Sequence, residues 1–406
     1  MRAGQIEQNE AAPVFRRKVF YIPGYDPFPP RRYRELYRKE AAEQAAISSY
    51  DIALLPKGDS GPHGWRVTGD IGGPAESDIE VLVWSDIVQS SMAQGIAATY
   101  GQMVRTAWVY VGSGALFRLM RLRKGPMIAA LYPIVFLVLQ ALVAVAVGWG
   151  VGAGVAGISD WLVGALVAVA AFYATLHAFR AMDRRVFAYY LMHDYAFTAA
   201  EGGANPAALE VRMAEFGKVI RAALATEVQE VLIVGHSSGA HLAVSILADL
   251  IREGLPPGHP VLGFLSLGQV VPMVSFLPRA GRLRGDLAYL SAREEVTWVD
   301  VTAPGDGCAF ALCDPVAVTG VAPAGKRWPL VISAAFTQTL SAERWRALRW
   351  RFFRLHFQYL CAFDQPGDYD YFRITAGPMT LGDRFAGREP SKSRIEVPVN
   401  RYRSLS

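Results

Sequence analysis

Residues 231–243 read VLIVGHSSGAHLA, and what this stretch has to become organises the rest of the chain. The run VQEVLIVG (228–235) ends in apolar, mostly β-branched residues and predicts a buried strand. AHLAVSILADLIREG (240–254) has helical periodicity. Between them lies Gly235-His236-Ser237-Ser238-Gly239, a G-x-S-x-G pattern. The five letters alone are weak, because Gly and Ser are common. Their context is specific: a strand, a sharp turn and a helix hold a serine hydroxyl clear of the backbone at the end of a sheet. At such a turn a Cβ on either flanking glycine would strike neighbouring backbone. The helix behind Ser237 offers free N–H groups and a positive dipole end, which favour negative charge developing in acyl transfer. The plain alternative is a Ser/Gly turn with Ser237 as an N-cap.

Working outward, RKVFYI (17–22) reads as a strand, PGYDPFPP as a loop, and 31–46 as an amphipathic helix. Strands are expected over 48–55 and 64–70, then IEVLVWS (79–85) as a buried strand with Asp86 at its end, followed by a helix over 87–104. Further on, 207–226 predicts a helix, 261–268 and 295–302 predict strands, and 329–336 a last strand. Residues 341–360 read as an Arg- and aromatic-rich helix, and the final 25 residues as a polar tail. Strands alternating with helices imply an α/β domain, a mostly parallel sheet with helices on both faces.

Hydrophobic residues make up 52% of the 406, and the excess is concentrated. No Asp, Glu, Lys or Arg lies between Gly125 and Ser159, nor, after Asp160, from Trp161 to Phe179. Two membrane helices are expected, about 127–149 and 156–178, since roughly 20 apolar residues cross a bilayer core. A shallow re-entrant hairpin is the alternative, because Gly148, Gly150, Gly152, Gly154 and Gly157 weaken a helix. Two buried helices of a large soluble core would be the bland reading. Arg118, Arg121, Arg123 and Lys124 precede the first segment, and Arg180, Arg184 and Arg185 follow the second, which sets both ends on the cytoplasmic face. The polar start MRAGQIEQNEAAP does not resemble a signal peptide. The expected organisation is a first part of the α/β domain over 1–110, a membrane hairpin over 111–186, the rest of the domain over 187–380, and the tail over 381–406.

A serine nucleophile needs a base, normally a histidine held by a carboxylate. Of the seven histidines, His63, His177 and His193 precede the turn, His236 and His241 belong to it and its helix, and His259 sits in a loop at the opposite edge of the sheet. His356 alone follows every candidate acid. Asp306, in APGDG directly after EVTWVDVT, is the expected acid, because ligands and catalytic groups collect beyond the C-terminal ends of parallel strands. Asp300, within that strand, is its rival, and Asp314 reads as a turn former. The backbone N–H groups of Ser238 and of Tyr25, after Gly24 in the early loop, are the expected oxyanion donors.

With these elements the chain resembles the α/β-hydrolase superfamily, over roughly 15–105 and 205–360. The matching parts are VLIVGHSSGAHLA, Gly24-Tyr25, Asp306 and His356. The resemblance implies esterase, lipase, thioesterase, peptidase or acyltransferase chemistry with no metal or organic cofactor. Two departures stand out: the hairpin pushes the serine far along the chain, and His356 lies in what reads as a helix. The superfamily also contains members without catalysis, so a membrane scaffold on this fold is the non-enzymatic alternative.

The net charge of +5, beside the apolar segments, suits an anionic bilayer surface and comes with no nucleic-acid docking motif. The three cysteines, Cys308, Cys313 and Cys361, have no metal-ligand spacing. The expected partners are the lipid bilayer and a membrane lipid or other hydrophobic acyl substrate, with FAYYLMHDYAF (187–197) and FFRLHFQYL (352–360) as an apolar lining or as ordinary packing.

Overall fold

The computed structural model describes residues 13–57 and 61–406, so most of the polar start lies outside the described residues. Eight strands form one sheet in the order β2-β3-β4-β1-β5-β6-β7-β8. They are β1 (Phe15–Ile22), β2 (Asp51–Pro56), β3 (Gly64–Asp70), β4 (Pro74–Val81), β5 (Glu230–His236), β6 (Val261–Leu267), β7 (Val296–Thr302) and β8 (Leu330–Ser333). Only β3 runs against its neighbours. The chain leaves β1 to build β2–β4 on one side and then returns to lay β5 on the other. The loops after β1 and β5 therefore diverge around a crevice at the C-terminal strand ends, where open α/β sheets bind ligands.

Helix α1 (Arg31–Ser48) covers one face of the sheet together with residues from 336 to 385, through Tyr33, Tyr37, Tyr359 and Phe372. The other face is packed by helices over Ala207–Ala223, Gly239–Arg252 and Gly281–Leu290, through Phe216, Leu247 and Leu287 against Ile233, Phe264 and Trp298. Alternate residues of β5 divide between the two cores: Val231 and Ile233 face one, Leu232 and Val234 the other.

Between β4 and β5 the chain is entirely helical. It runs through α2 (Ser85–Met92), α3 (Ile96–Gly112), α4 (Ala115–Leu122), α5 (Lys124–Ala156), α6 (Trp161–Ala181), α7 (Asp183–Val186), α8 (Ala188–Ala200) and α9 (Ala207–Ala223), the last of which belongs to the sheet layer. At 33 and 21 residues, α5 and α6 are about 50 Å and about 30 Å long. Only 22% and 11% of their most apolar windows is buried. Leu142, Trp149, Leu166 and Val169 are all more than half exposed, the opposite of what helices of a soluble core show. Both helices are long and apolar enough to cross a membrane.

Two of the five glycines expected to weaken this region, Gly148 and Gly152, instead join its two helices. A Cβ on Gly152 would lie 2.6 Å from Ala168 Cβ and 2.8 Å from Gly164 O, and one on Gly148 would lie 2.7 Å from Ala168 O. Small residues at this spacing let two helix backbones meet, so α5 continues through them to Ala156 and the turn falls at 157–160.

Four other expectations shift. The strand expected at 79–85 is β4 at 74–81, because its pairing with β1 and β3 starts at Ala75 and Pro74. The helix expected at 87–104 is split into α2 and α3 around Ala93–Gly95. The single helix expected over 341–360 is instead Ala342–Leu348, Phe352–His356 and a short 3₁₀ turn, Gln358–Leu360. The last 25 residues are not a free tail. Ile395 N–H donates to Leu312 O at 2.7 Å, Asn400 is buried with Nδ2 on Ser275 O, and Gly281 and Gly285 leave room for Leu405 and Ser406.

Candidate active site

At the turn after β5, Ser237 has φ +56°, a left-handed conformation uncommon for a residue with a side chain. The packing around it leaves no alternative path for the chain. A Cβ on Gly239 would come within 2.1 Å of Ile22 O, and one on Gly235 within 2.8 Å of Ala240 Cα. Gly24, brought alongside by the pairing of Ile22 with Gly235, would place a Cβ 2.9 Å from Ser237 Cβ. The residues that sequence reasoning placed at the turn and at the early loop therefore touch. Among the described residues, neither the Ser238 nor the Tyr25 N–H has an acceptor in the protein, so both stay available beside the serine. The Tyr25 ring is buried, with its hydroxyl 2.5 Å from Ser91 Oγ and its carbonyl accepting from the Tyr190 hydroxyl.

His356 ends the short helix Phe352–His356 and is buried. Its Nδ1 lies 2.7 Å from Asp306 Oδ2, while its Nε2, also buried, has no partner. Asp306 is 2% exposed, in the loop after β7. Burial alone would raise its pKa. The His356 charge and hydrogen bond, the Cys308 N–H at 2.9 Å and the Tyr359 hydroxyl at 3.0 Å outweigh it and hold the carboxyl below the ordinary value. Asp300, the rival acid, is occupied elsewhere: it accepts from Ser266 Oγ at 2.6 Å, and burial pushes it up to about 8. Asp314 caps the helix Pro315–Thr319 through Val316 and Ala317 N–H, the turn role expected of it.

Several residues at the site were not singled out from the sequence. Tyr359 donates to Asp306 Oδ2, the oxygen that also meets His356 Nδ1, and accepts from Ala303 N–H at 3.0 Å. His236 lies under His356, with ring centroids 4.8 Å apart and Nε2 3.0 Å from the His356 carbonyl. Burial and the neighbouring His356 push its pKa to about 3, so it is neutral and donates from Nε2. Gly268, at φ +54°, leaves room for both rings: a Cβ there would lie 2.7 Å from Tyr359 and 3.0 Å from His356. Asp194 of α8 faces the same cleft, and burial, countered by His356, pushes it up to about 7. No local signal marks these residues, except that Tyr359 follows His356 by one helical turn.

Ser237, Ser238, His356, Gly24 and Asp194 line one cleft with about 840 Å³ of atom-free space open to solvent. Asp306, Cys308 and His356 each offer one possible metal ligand, all within 4.8 Å of one another. The Asp306–His356 hydrogen bond engages Oδ2 and Nδ1. Burial, then Asp306 and Asp194, push the Cys308 thiol up, which keeps it a poor ligand. No family model, curated protein or solved structure matches this chain. Its function has to be read from the geometry of its own site.

Proposed function

We propose that the chain is a membrane-anchored serine hydrolase that cleaves an acyl ester of a membrane lipid or another hydrophobic molecule. One observation carries the reading: a buried Asp306–His356 pair presents an unpartnered Nε2 to the cleft in which Ser237 is held at φ +56°. Asp306 and His356 are joined, and His356 shares the cleft with Ser237 although no hydrogen bond links Nε2 to Ser237 Oγ; these are the three groups that a triad uses.

In the proposed reaction His356 Nε2 takes the Ser237 proton as Oγ attacks the acyl carbon. The oxyanion is met by the N–H groups of Ser238 and Tyr25. The ester C–O bond then breaks, His356 returns the proton to the leaving alcohol, and the acyl group remains on Ser237. Water, deprotonated by His356, attacks the acyl-enzyme and releases the acid. Asp306 keeps Nδ1 protonated and stabilises the imidazolium. An acceptor alcohol in place of water would make the same machinery an acyltransferase.

The membrane assignment is supported by the exposed apolar surfaces of α5 and α6. Their basic ends meet beside the α/β domain, where Arg123 reaches Ala311 O at 2.7 Å and Arg180 reaches Gln94 O at 2.8 Å. Both anchors suit a domain on the cytoplasmic side of an inner membrane. The test is labelling of detergent-solubilised protein with a fluorophosphonate, read by intact mass. Wild type gains one adduct on Ser237 and Ser237→Ala gains none; a folded wild type that stays unlabelled favours a scaffold on this fold.

A further inference from the structure

Beside the catalytic cleft lies a larger groove of about 1,950 Å³ of atom-free space. Three distant parts of the chain build it: the start of α5 (Ile128, Ala129, Tyr132), the exit of α6 and α7 (Arg185, Val186, Phe187), and residues 350–354. The Tyr132 hydroxyl donates to Val186 O at 2.7 Å and ties the first two together. The groove therefore opens where the apolar helix pair meets the α/β domain.

Its lining has two characters. Ile128, Trp350 and Phe352 are 67%, 73% and 48% exposed, an apolar rim with nothing covering it. Arg185, Arg351 and Arg354 stand among them, exposed. Among the described residues no carboxylate comes within 4.0 Å of any of the three. Arg32, at the same groove, is 3.6 Å from Asp26. Unpaired guanidinium groups beside aromatic and aliphatic surface match a ligand with both an anionic head and hydrocarbon. The basic flanks of the helix pair account for Arg185 as a topology signal, but Arg351 and Arg354 lie far away in sequence and reach the groove only through the fold.

The groove and the catalytic cleft share walls at Leu191, Cys308 and Phe353. The Phe353 ring lies between them, 4.9 Å from Phe187 and 5.7 Å from Tyr190. The cleft also adjoins an almost wholly apolar pocket lined by Leu116, Met127, Ala130 and Ile134, with Tyr195 and Met273 as common walls. Arginine groove and apolar pocket are thus both neighbours of the Ser237 cleft.

We infer that the substrate is an anionic phospholipid drawn sideways from the leaflet, with its phosphate on Arg185, Arg351 and Arg354 and its cleaved acyl chain in the apolar pocket. This deepens the hydrolase reading and rests on it. A phosphate bridges paired arginines by charge-assisted, bidentate hydrogen bonds, and an interfacial location supplies such heads at high local concentration.

The test uses the full chain in nanodiscs of phosphatidylcholine with or without phosphatidylglycerol, following fatty-acid release. Wild type should favour phosphatidylglycerol. In Arg351→Ala/Arg354→Ala that preference should fall about tenfold or more, as expected for losing one or two charged hydrogen bonds. Arg351→Lys/Arg354→Lys should restore part of it, which separates phosphate recognition from damaged packing. A binding arm reads quenching of Trp350 by brominated phosphatidylglycerol against brominated phosphatidylcholine, with Trp350→Phe as the blank. Selective quenching without fluorophosphonate labelling or turnover would retain the phospholipid site and sink the hydrolase reading. Labelling and turnover with no head-group preference, unchanged in the alanine variant, would overturn the phospholipid site and leave the hydrolase reading standing.

Discussion

The two walls of the cleft are held by different physics. On the β5 side, Ser237 is positioned by backbone packing: Gly24, Gly235 and Gly239 each sit where a single methyl would collide. On the opposite side, His356 sits in short helical pieces and is fixed by polar contacts, through Asp306, Tyr359 and the ring of His236. Sterics hold Ser237 in one place. His356 is held by a network whose members can be removed one at a time, and each removal should cost a graded amount.

That contrast can be broken most sharply at the reacting groups. Ser237→Ala and His356→Ala should each lower turnover of a chromogenic ester by about 10⁴-fold or more, with little change in stability. Comparable rates in either variant would remove these residues from the chemistry. On the steric wall, Gly239→Ala should destabilise the fold by about 3 kcal/mol, because the added Cβ meets Ile22 O and neither backbone can yield. Thermal unfolding in detergent would show it as a lowered midpoint, and a wild-type midpoint would mean that the turn relaxes.

On the polar wall the expected effects are smaller. Tyr359→Phe removes one of the hydrogen bonds to Asp306 and leaves the others, so kcat should fall about tenfold with KM nearly constant. No change in kcat would show that His356 and Cys308 suffice to orient the carboxylate. A separate effect, read as a pH slope, concerns Asp300, whose folded pKa is raised from 3.8 to about 8. Between these values the native protein keeps a proton that the unfolded chain has lost, so this group makes stability decline as pH rises from about 4 to about 8 and adds no slope above that. Asp300→Asn should flatten that part of the stability profile; an unaltered slope would place the titration elsewhere.

How much was legible follows from the range of each interaction. The β5 turn was readable because strand, turn and helix are consecutive and each has a local signature. Asp306 was readable as a position beyond a strand end, but its choice over Asp300 needed the partners, His356 for one and Ser266 for the other. The helix expected over 341–360 broke into pieces because Leu355, Tyr359 and Leu360 are drawn into the core beneath the sheet, and tertiary packing overrode periodicity. Gly148 and Gly152 of α5 misled in the same way, since propensity describes an isolated helix and these two face α6.

By itself the sequence determined the alternation of strands and helices, the strained serine turn, and two long apolar segments with basic ends. Each depends on residues within one element, where period and local chemistry suffice. Tertiary structure decided what meets at the crevice: β1 beside β5, the His356–Asp306–Tyr359 network at the cleft that Ser237 lines, and Arg351 and Arg354 beside the apolar helix pair. Most of those contacts join residues tens to hundreds of positions apart, which no local pattern in the sequence can bring together.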